Sequence, residues 1–207
     1  FFLDFLCSVF VGSFDLNVKI IMNNIFATCL SLLFLLTSTL VSGQNGVSST
    51  NIPKGYTSCV TFDKSENLWV GYRNSSQGLA KYDGQTWTLF GPDVLPHENV
   101  NCLETAGSFI WVGTPAGLVR IDSLDSISIF NDSNSSLSEN NITALKMQKN
   151  VLWVGTGKGL FKYDSTGFNE VNIGQSSTRI TCLETDSNGN LWIGTEVGLI
   201  DLANSKL

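Results

Sequence analysis

The chain has 207 residues, 43% hydrophobic and only 14% charged, with a formal net charge of −6. That length is enough for one sizeable domain with a real core. The acidic balance and the lack of any basic stripe argue against nucleic acid as a partner, and the wealth of Gly, Ser, Thr and Asn fits an all-β fold with many tight turns.

The sequence opens on Phe1, and its first methionine is Met22. Residues 1–21 are read as an upstream extension outside the native fold. Residues 22–43 read as a signal peptide: "IFATCLSLLFLLTSTLV" from Ile25 to Val41 is apolar and uncharged, and Ser42 and Gly43 suit cleavage after Gly43. The apolar run, expected to be helical, is about as short as a spanning helix can be. No positive cluster follows it, so an uncleaved membrane anchor is the alternative. The chain is therefore expected to be exported, periplasmic or extracellular, and to meet the membrane only through this segment. Residues 44–52 read as a linker.

The rest is a repeat. Trp69, Trp111, Trp153 and Trp192 are spaced 42, 42 and 39 residues apart, in the frames "LWVGYR", "IWVGT", "LWVGT" and "LWIGT". Each frame follows an inner strand: "SCVTFD" (58–63), "NCLETA" (101–106), "ITALKM" (142–147) and "ITCLET" (180–185). A third strand such as "GLFKYD" comes next, then an outer one such as "TWTLF" (86–90) or "FNEVNI" (168–173). Four strands in about 40–45 residues is the spacing of a β-propeller blade. The units span about 53–94, 95–136, 137–175 and 176–207, the last incomplete, so the expected fold is a partial propeller, a fragment of a larger ring. Trp69, Trp111, Trp153 and Trp192 are expected to pack between blades. Gly71, Gly113, Gly155 and Gly194 are expected where the close approach of blades leaves no room for a side chain. Gly159 is grouped with Gly155 as required by the turn and the packing.

These residues resemble the two-component regulator propeller repeat, most closely from Asp186 to Asp201, where "DSNGNLWIGTEVGLID" follows its pattern. The lead-ins "LPHENVNCLE" and "LSENNITALK" are similar as well. The resemblance covers about residues 53–203. It implies an exported sensor or ligand-binding module of a two-component system, with polysaccharide as the ligand class and a signalling region downstream of this chain. The first unit departs from the pattern, with seven residues from Gly71 to Gly78 against four from Gly113 to Gly117.

The candidate chemistry is sparse. Cys59, Cys102 and Cys182 share one inner-strand position, where the third unit has Ala144, and read as buried packing residues without disulfides. "DSNGN" (186–190) lacks the distal Glu of a calcium loop and reads as a hairpin turn. His97 is the only histidine, so neither zinc nor a Ser/His/Asp set is supported; no metal, cofactor or catalytic residue is assigned. Glu104 and Glu184 could face a central channel, where they read as solvated lining. "GTGKG" (155–159) is not a phosphate loop, because a strand and not a helix follows it, and sister units place Pro115-Ala116 or Glu196-Val197 in the same slot. Function is expected where the repeats differ, at the turns between second and third strands and at the blade linkers. Tyr72, Arg73, Asn74, Gln77, His97, Lys158, Arg179 and Glu196 are the candidate ligand-binding residues there. The expected partner is an oligosaccharide or another protein. A secreted interaction scaffold is the alternative function, and a glycoside hydrolase or polysaccharide lyase a further one.

Overall fold

The computed structural model describes residues 52–175 and 177–203. The expected upstream extension, signal peptide and apolar helix lie outside the described residues, as do Cys7 and Cys29. Alternation of apolar and polar residues, broken by Gly- and Asp-rich turns, yields fifteen strands and no helix among the described residues. The first blade holds β1 (Tyr56–Phe62), β2 (Leu68–Arg73), β3 (Leu79–Tyr82) and β4 (Trp87–Phe90). The second holds β5 (Cys102–Ala106), β6 (Phe109–Thr114), β7 (Gly117–Ile121) and β8 (Ile127–Phe130). The third holds β9 (Ile142–Gln148), β10 (Val151–Thr156), β11 (Leu160–Asp164) and β12 (Gly167–Val171), and the fourth only β13 (Ile180–Thr185), β14 (Leu191–Thr195) and β15 (Gly198–Asp201). Each sheet is an antiparallel meander in chain order. The expected propeller blades are therefore present, with the fourth short of its outer strand among the described residues.

The core lies between blades. Trp69 of the first blade packs with Leu95 and Val100 of the linker and with Ile110, Val112 and Val119 of the second. Trp111 does the same with Leu137, Leu145, Val154 and Phe161, and Trp153 with Ile180, Leu183 and Ile193. The repeated glycine explains how closely the blades approach. A Cβ on Gly71, Gly113 or Gly155 would come within 2.6–2.7 Å of Val100, Ile142 or Ile180 of the following blade. Opposite each glycine in the register stands the small inner-strand residue: Cys59, Cys102, Ala144 or Cys182. Cys59 and Cys102 are half-buried and Cys182 is exposed, so the expectation of buried cysteines fails at Cys182, where no described blade follows. All three thiols are free.

Three of the four inner strands, β1, β9 and β13, break register near Ser58, Thr143 and Thr181. Ser58, at such a break, donates its Oγ–H to the Val100 carbonyl at 2.6 Å. Asn101, just before β5, donates its Nδ2–H to the Ile142 carbonyl at 2.7 Å. Further along, Glu104 accepts the Met147 N–H at 2.8 Å. It is thus a strut between inner strands, not the freely solvated group expected, and burial pushes its carboxyl above the ordinary range against the pull of the Met147 N–H and Lys146. Glu184 pairs with Lys146 of the third blade.

The turns at the far ends of the blades are closed by aspartates. Asp186 accepts the N–H groups of Asn188 and Asn190 through Oδ1, and the side-chain amide of Asn190 at 2.9 Å through Oδ2. Its Oδ2 also faces the Trp192 indole nitrogen at 3.4 Å. Asp63 repeats the arrangement with Ser65, Asn67 and Trp69. The loop at 186–190 is thus a hairpin turn whose acid is occupied by its own backbone and by the repeat's tryptophan.

Candidate ligand-binding face

One end of the blades gathers the features that vary. The turns after β2, β6, β10 and β14 lie beside the linkers that enter the following strands, and hydrogen bonds tie the two sets together. The Asn74 N–H donates to Asn99 Oδ1 at 2.7 Å, Gly157 N–H to the Asn141 carbonyl at 2.9 Å, and Glu196 N–H to the Arg179 carbonyl at 3.2 Å.

A threonine closes three of the four turns. Thr114, Thr156 and Thr195 each donate their hydroxyl to the carbonyl of the glycine three residues on, at 2.7, 2.9 and 2.8 Å. Each also accepts the N–H of the residue two positions on, at 3.2 Å. The backbone of the turn is therefore fixed whatever its middle residues are, which is why Pro115-Ala116, Gly157-Lys158 and Glu196-Val197 can share one slot. Gly117 and Gly198 hold φ of 138° and 147°, which favours glycine. Gly159 does not share that conformation, and its added Cβ would meet only Glu170 Oε1 at 3.9 Å. The expectation that Gly159 is needed as much as Gly155 is therefore corrected: only Gly155 is excluded from carrying a side chain by its surroundings.

Tyr72 stands where the other units have threonine, and it is corrected too. It is 1% exposed, packed with Val70 and Ala80, and its hydroxyl donates to the Pro53 carbonyl at 2.9 Å. Burial pushes its phenol up. Its ring is part of the first blade's packing and offers no surface to a ligand. The signal was in the sequence: Tyr72 replaces a turn-closing residue, so a structural task was to be expected of it.

The other candidates lie at separate places along the face. Asn74 meets Asn99, and Asn99 N–H in turn donates to His97 Nδ1 at 2.9 Å, so the lone histidine props a linker. Gln77 N–H donates to Ser75 Oγ at 3.2 Å, and Arg73 at the end of β2 has its Nε buried without a partner. Arg179 and Glu196 form a pair at 3.6 Å. Lys158 pairs with Glu139 at 3.1 Å. The Asn141 N–H, helped by Lys158, holds the Glu139 carboxyl below its ordinary range.

Lys158 and Glu139 border a cleft of about 760 Å³. Its polar wall holds Ser138, Glu139, Lys158, Glu170, Asn172 and Gln175, and its floor holds Phe161, Val171 and Ile173. The volume lies in the range of small-ligand sites. The linkers that supply Glu139 and Gln175 vary between units, but nothing in the repeat singles out either residue. Glu170 was hidden, because on an outer strand it looks like any solvated position. A second hollow of about 120 Å³ on the opposite end, between Asp63, Trp69, Lys81 and Gly107, is too small for more than water or an ion. Among the described residues no group of three or more His, Cys, Asp or Glu could hold a metal.

Residues 174–197 match the family model described as two component regulator propeller. No curated protein matches the chain. Among solved structures it is similar to the extracellular domain of a putative hybrid two component system from B. thetaiotaomicron, at 19% identity and a TM-score of 0.63, over 75% of this chain and 23% of that one. It is also similar to PorZ, a bacterial surface component of the type-IX secretion system of Porphyromonas gingivalis, at 16% identity and a TM-score of 0.54, over 75% of this chain and 27% of that one. A third likeness is to virginiamycin B lyase from Staphylococcus aureus, at 14% identity and a TM-score of 0.55, over 70% of this chain and 55% of that one. At these identities the likeness is one of fold. The chain spans only 20–23% of the length of the extracellular domains it matches.

Proposed function

We propose that this chain, a β-propeller that carries the two-component regulator propeller repeat, is part of an exported ligand-binding module that reports to a signalling region. The single observation behind this reading is the cleft beside Lys158 and Glu139, built from the variable turn and linkers on a rigid repeat frame. Binding sites belong on loops that a stable scaffold positions. The cleft presents carboxylates, amides and an ammonium over an apolar floor, which suits a hydroxyl-rich ligand such as an oligosaccharide. Lys158 is 71% exposed in its ion pair while Glu139 is 17% exposed, so a ligand can reach the ammonium more readily than the carboxylate. The extracellular setting of the solved propellers of two-component systems supports the same reading.

Calorimetric titration of the chain with a panel of neutral and acidic oligosaccharides tests it. A panel member should bind, and Lys158→Ala or Glu139→Gln should weaken that binding at least several-fold while the melting temperature stays put. If no oligosaccharide in the panel binds, or if binding ignores both variants, the cleft is not the site. The likeness to a secretion-system surface component favours a second reading, a protein-binding scaffold on the same face. That reading expects capture of a partner protein to be lost with the linker residues of the face and no oligosaccharide binding at all.

A further inference from the structure

The third blade departs from the first two at one corner. In the first blade a Cβ on Gly78 would come within 2.5 Å of the Phe90 carbonyl, and in the second a Cβ on Gly117 within 2.7 Å of the Phe130 carbonyl. In both, the end of the outer strand closes directly over this glycine. Gly159 holds the same position in the third blade. Val171 pairs with Leu160 as Phe90 pairs with Leu79 and Phe130 with Leu118. Yet no backbone atom of the outer strand comes within 4 Å of where a Gly159 Cβ would lie, and Glu170 Oε1, at 3.9 Å, is alone there. Gly159 and Val171 line the cleft of about 760 Å³ instead. Blades are described on both sides of the third, so this opening belongs to the blade itself.

The outer strand also changes character here. The register Val154 to Phe161 to Glu170 matches Val112 to Val119 to Ile129 and Val70 to Ala80 to Leu89. Two outer strands thus place an aliphatic residue on this side of the sheet, and the third places a carboxylate. Ile129 packs against the core between the first two blades. Glu170 is exposed, lines the cleft, and has no hydrogen-bond or ion-pair partner for its carboxylate among the described residues. A charge at a position the repeat keeps apolar does nothing for the blade's own packing, and such breaks in pattern fall at functional sites.

Its neighbours fix the kind of ligand. Glu139 is already engaged, by the Asn141 N–H at 3.1 Å and by Lys158 at 3.1 Å. Glu170 is not. Two carboxylates against one ammonium leave an excess of negative charge over the apolar floor of Phe161 and Val171. A carboxylate accepts most strongly from a charged donor. We propose that Glu170 reads a protonated amine on an amino sugar of the bound oligosaccharide, and that the sugar ring rests on Gly159, where the sister blades place their own outer strand. The proposal rests on the cleft being the ligand site of this face.

Calorimetric titration of the full chain with glucosamine oligosaccharides and their N-acetylated counterparts, at a pH where the free amines are protonated, decides it. Acetylation removes the charge and leaves the sugar chain otherwise the same. The free-amine form should bind at least several-fold more tightly, and Glu170→Gln should erase that preference. Glu170 is exposed on an edge strand, so the melting temperature should not move. Gly159→Leu should weaken binding of both forms at least several-fold, because its side chain would enter the space left for the ring. Equal binding of the two forms overturns the proposal, and so does a preference that survives Glu170→Gln. In either case, if Lys158→Ala still weakens binding, the cleft stands as the ligand site and only the role of Glu170 falls. If neither form binds, the proposal falls, and the cleft falls with it unless another oligosaccharide binds there.

Discussion

Trp69 and Trp192 occupy the same position of the same repeat, yet they differ in what surrounds them. Trp69 is 1% exposed, stacked on Phe90 at 5.5 Å between ring centroids, with Lys81 over its ring at 5.2 Å. Trp192 has its own sheet beneath it and no described blade against its outer face. Both indoles point at an aspartate, at 2.9 Å for Trp69 and 3.4 Å for Trp192. The local motif is thus complete in both places, and what differs is burial against the next blade. The repeat's residues are a template for an interface, and each copy stabilises the fold only as far as a neighbour is present.

The largest test of that contrast is truncation of the two tryptophans. Trp69→Ala should cost about 3–5 kcal/mol in urea unfolding followed by tryptophan fluorescence. Trp192→Ala should cost about 1 kcal/mol, because little burial is lost. Equal losses would mean that the blade interface is not what holds the indole. Next in size is the glycine beside it. Gly113→Ala would press a methyl group onto Cys102 Sγ and to within 2.7 Å of Ile142 Cγ2. It should cost about 1–3 kcal/mol by overpacking, whereas Gly194→Ala should be nearly silent once Cys182 turns aside. A melt in which the two glycine variants behave alike would remove the packing account.

Acid sharpens the comparison from the other side. Burial pushes the Asp63 carboxyl up, but the hydrogen bonds from Trp69, Asn67 and Ser65 outweigh it and hold it below its ordinary range. The N–H and side-chain amide of Asn190 hold Asp186 down in the same way. A carboxyl whose folded pKa lies below the unfolded one contributes stability that is fully present above the unfolded value, about 3.9 for Asp, and is lost as pH falls through the folded one. The chain should therefore lose stability below about pH 4, and Asp63→Asn should flatten that fall. Glu104 has the opposite sign. Its raised pKa means that stability declines as pH rises from the unfolded value through the folded one, so Glu104→Gln should melt at or above the parent at neutral pH. The smallest effect is a gain. Glu66 stands where the last blade has Gly189, and both hold positive φ, 62° and 82°. Glu66→Gly should relieve the left-handed strain and stabilise by about 0.5–1 kcal/mol, read as a small rise in melting temperature.

Much of the fold was legible in the sequence. The spacing of the tryptophans gave the units, and the strand limits moved by one or two residues, as from 58–63 to Tyr56–Phe62. The site was less legible. Lys158, Arg179 and Glu196 do lie on the variable face, but Lys158 meets Glu139 while Arg179 meets Glu196, and neither pairing follows from position in a repeat. Tyr72 was misplaced because a lone aromatic in a turn region looks like a binding group until its burial is known.

By itself the sequence determined the blade, because alternation and turn chemistry are local and recur wherever the motif does. The tertiary structure decided which copies of that motif are buried, how the linkers fold over the turns to make one cleft, and which sheet faces are left open. These depend on what stands on the far side of each blade. A residue's free energy of burial is set by that neighbour, and the local pattern does not contain it.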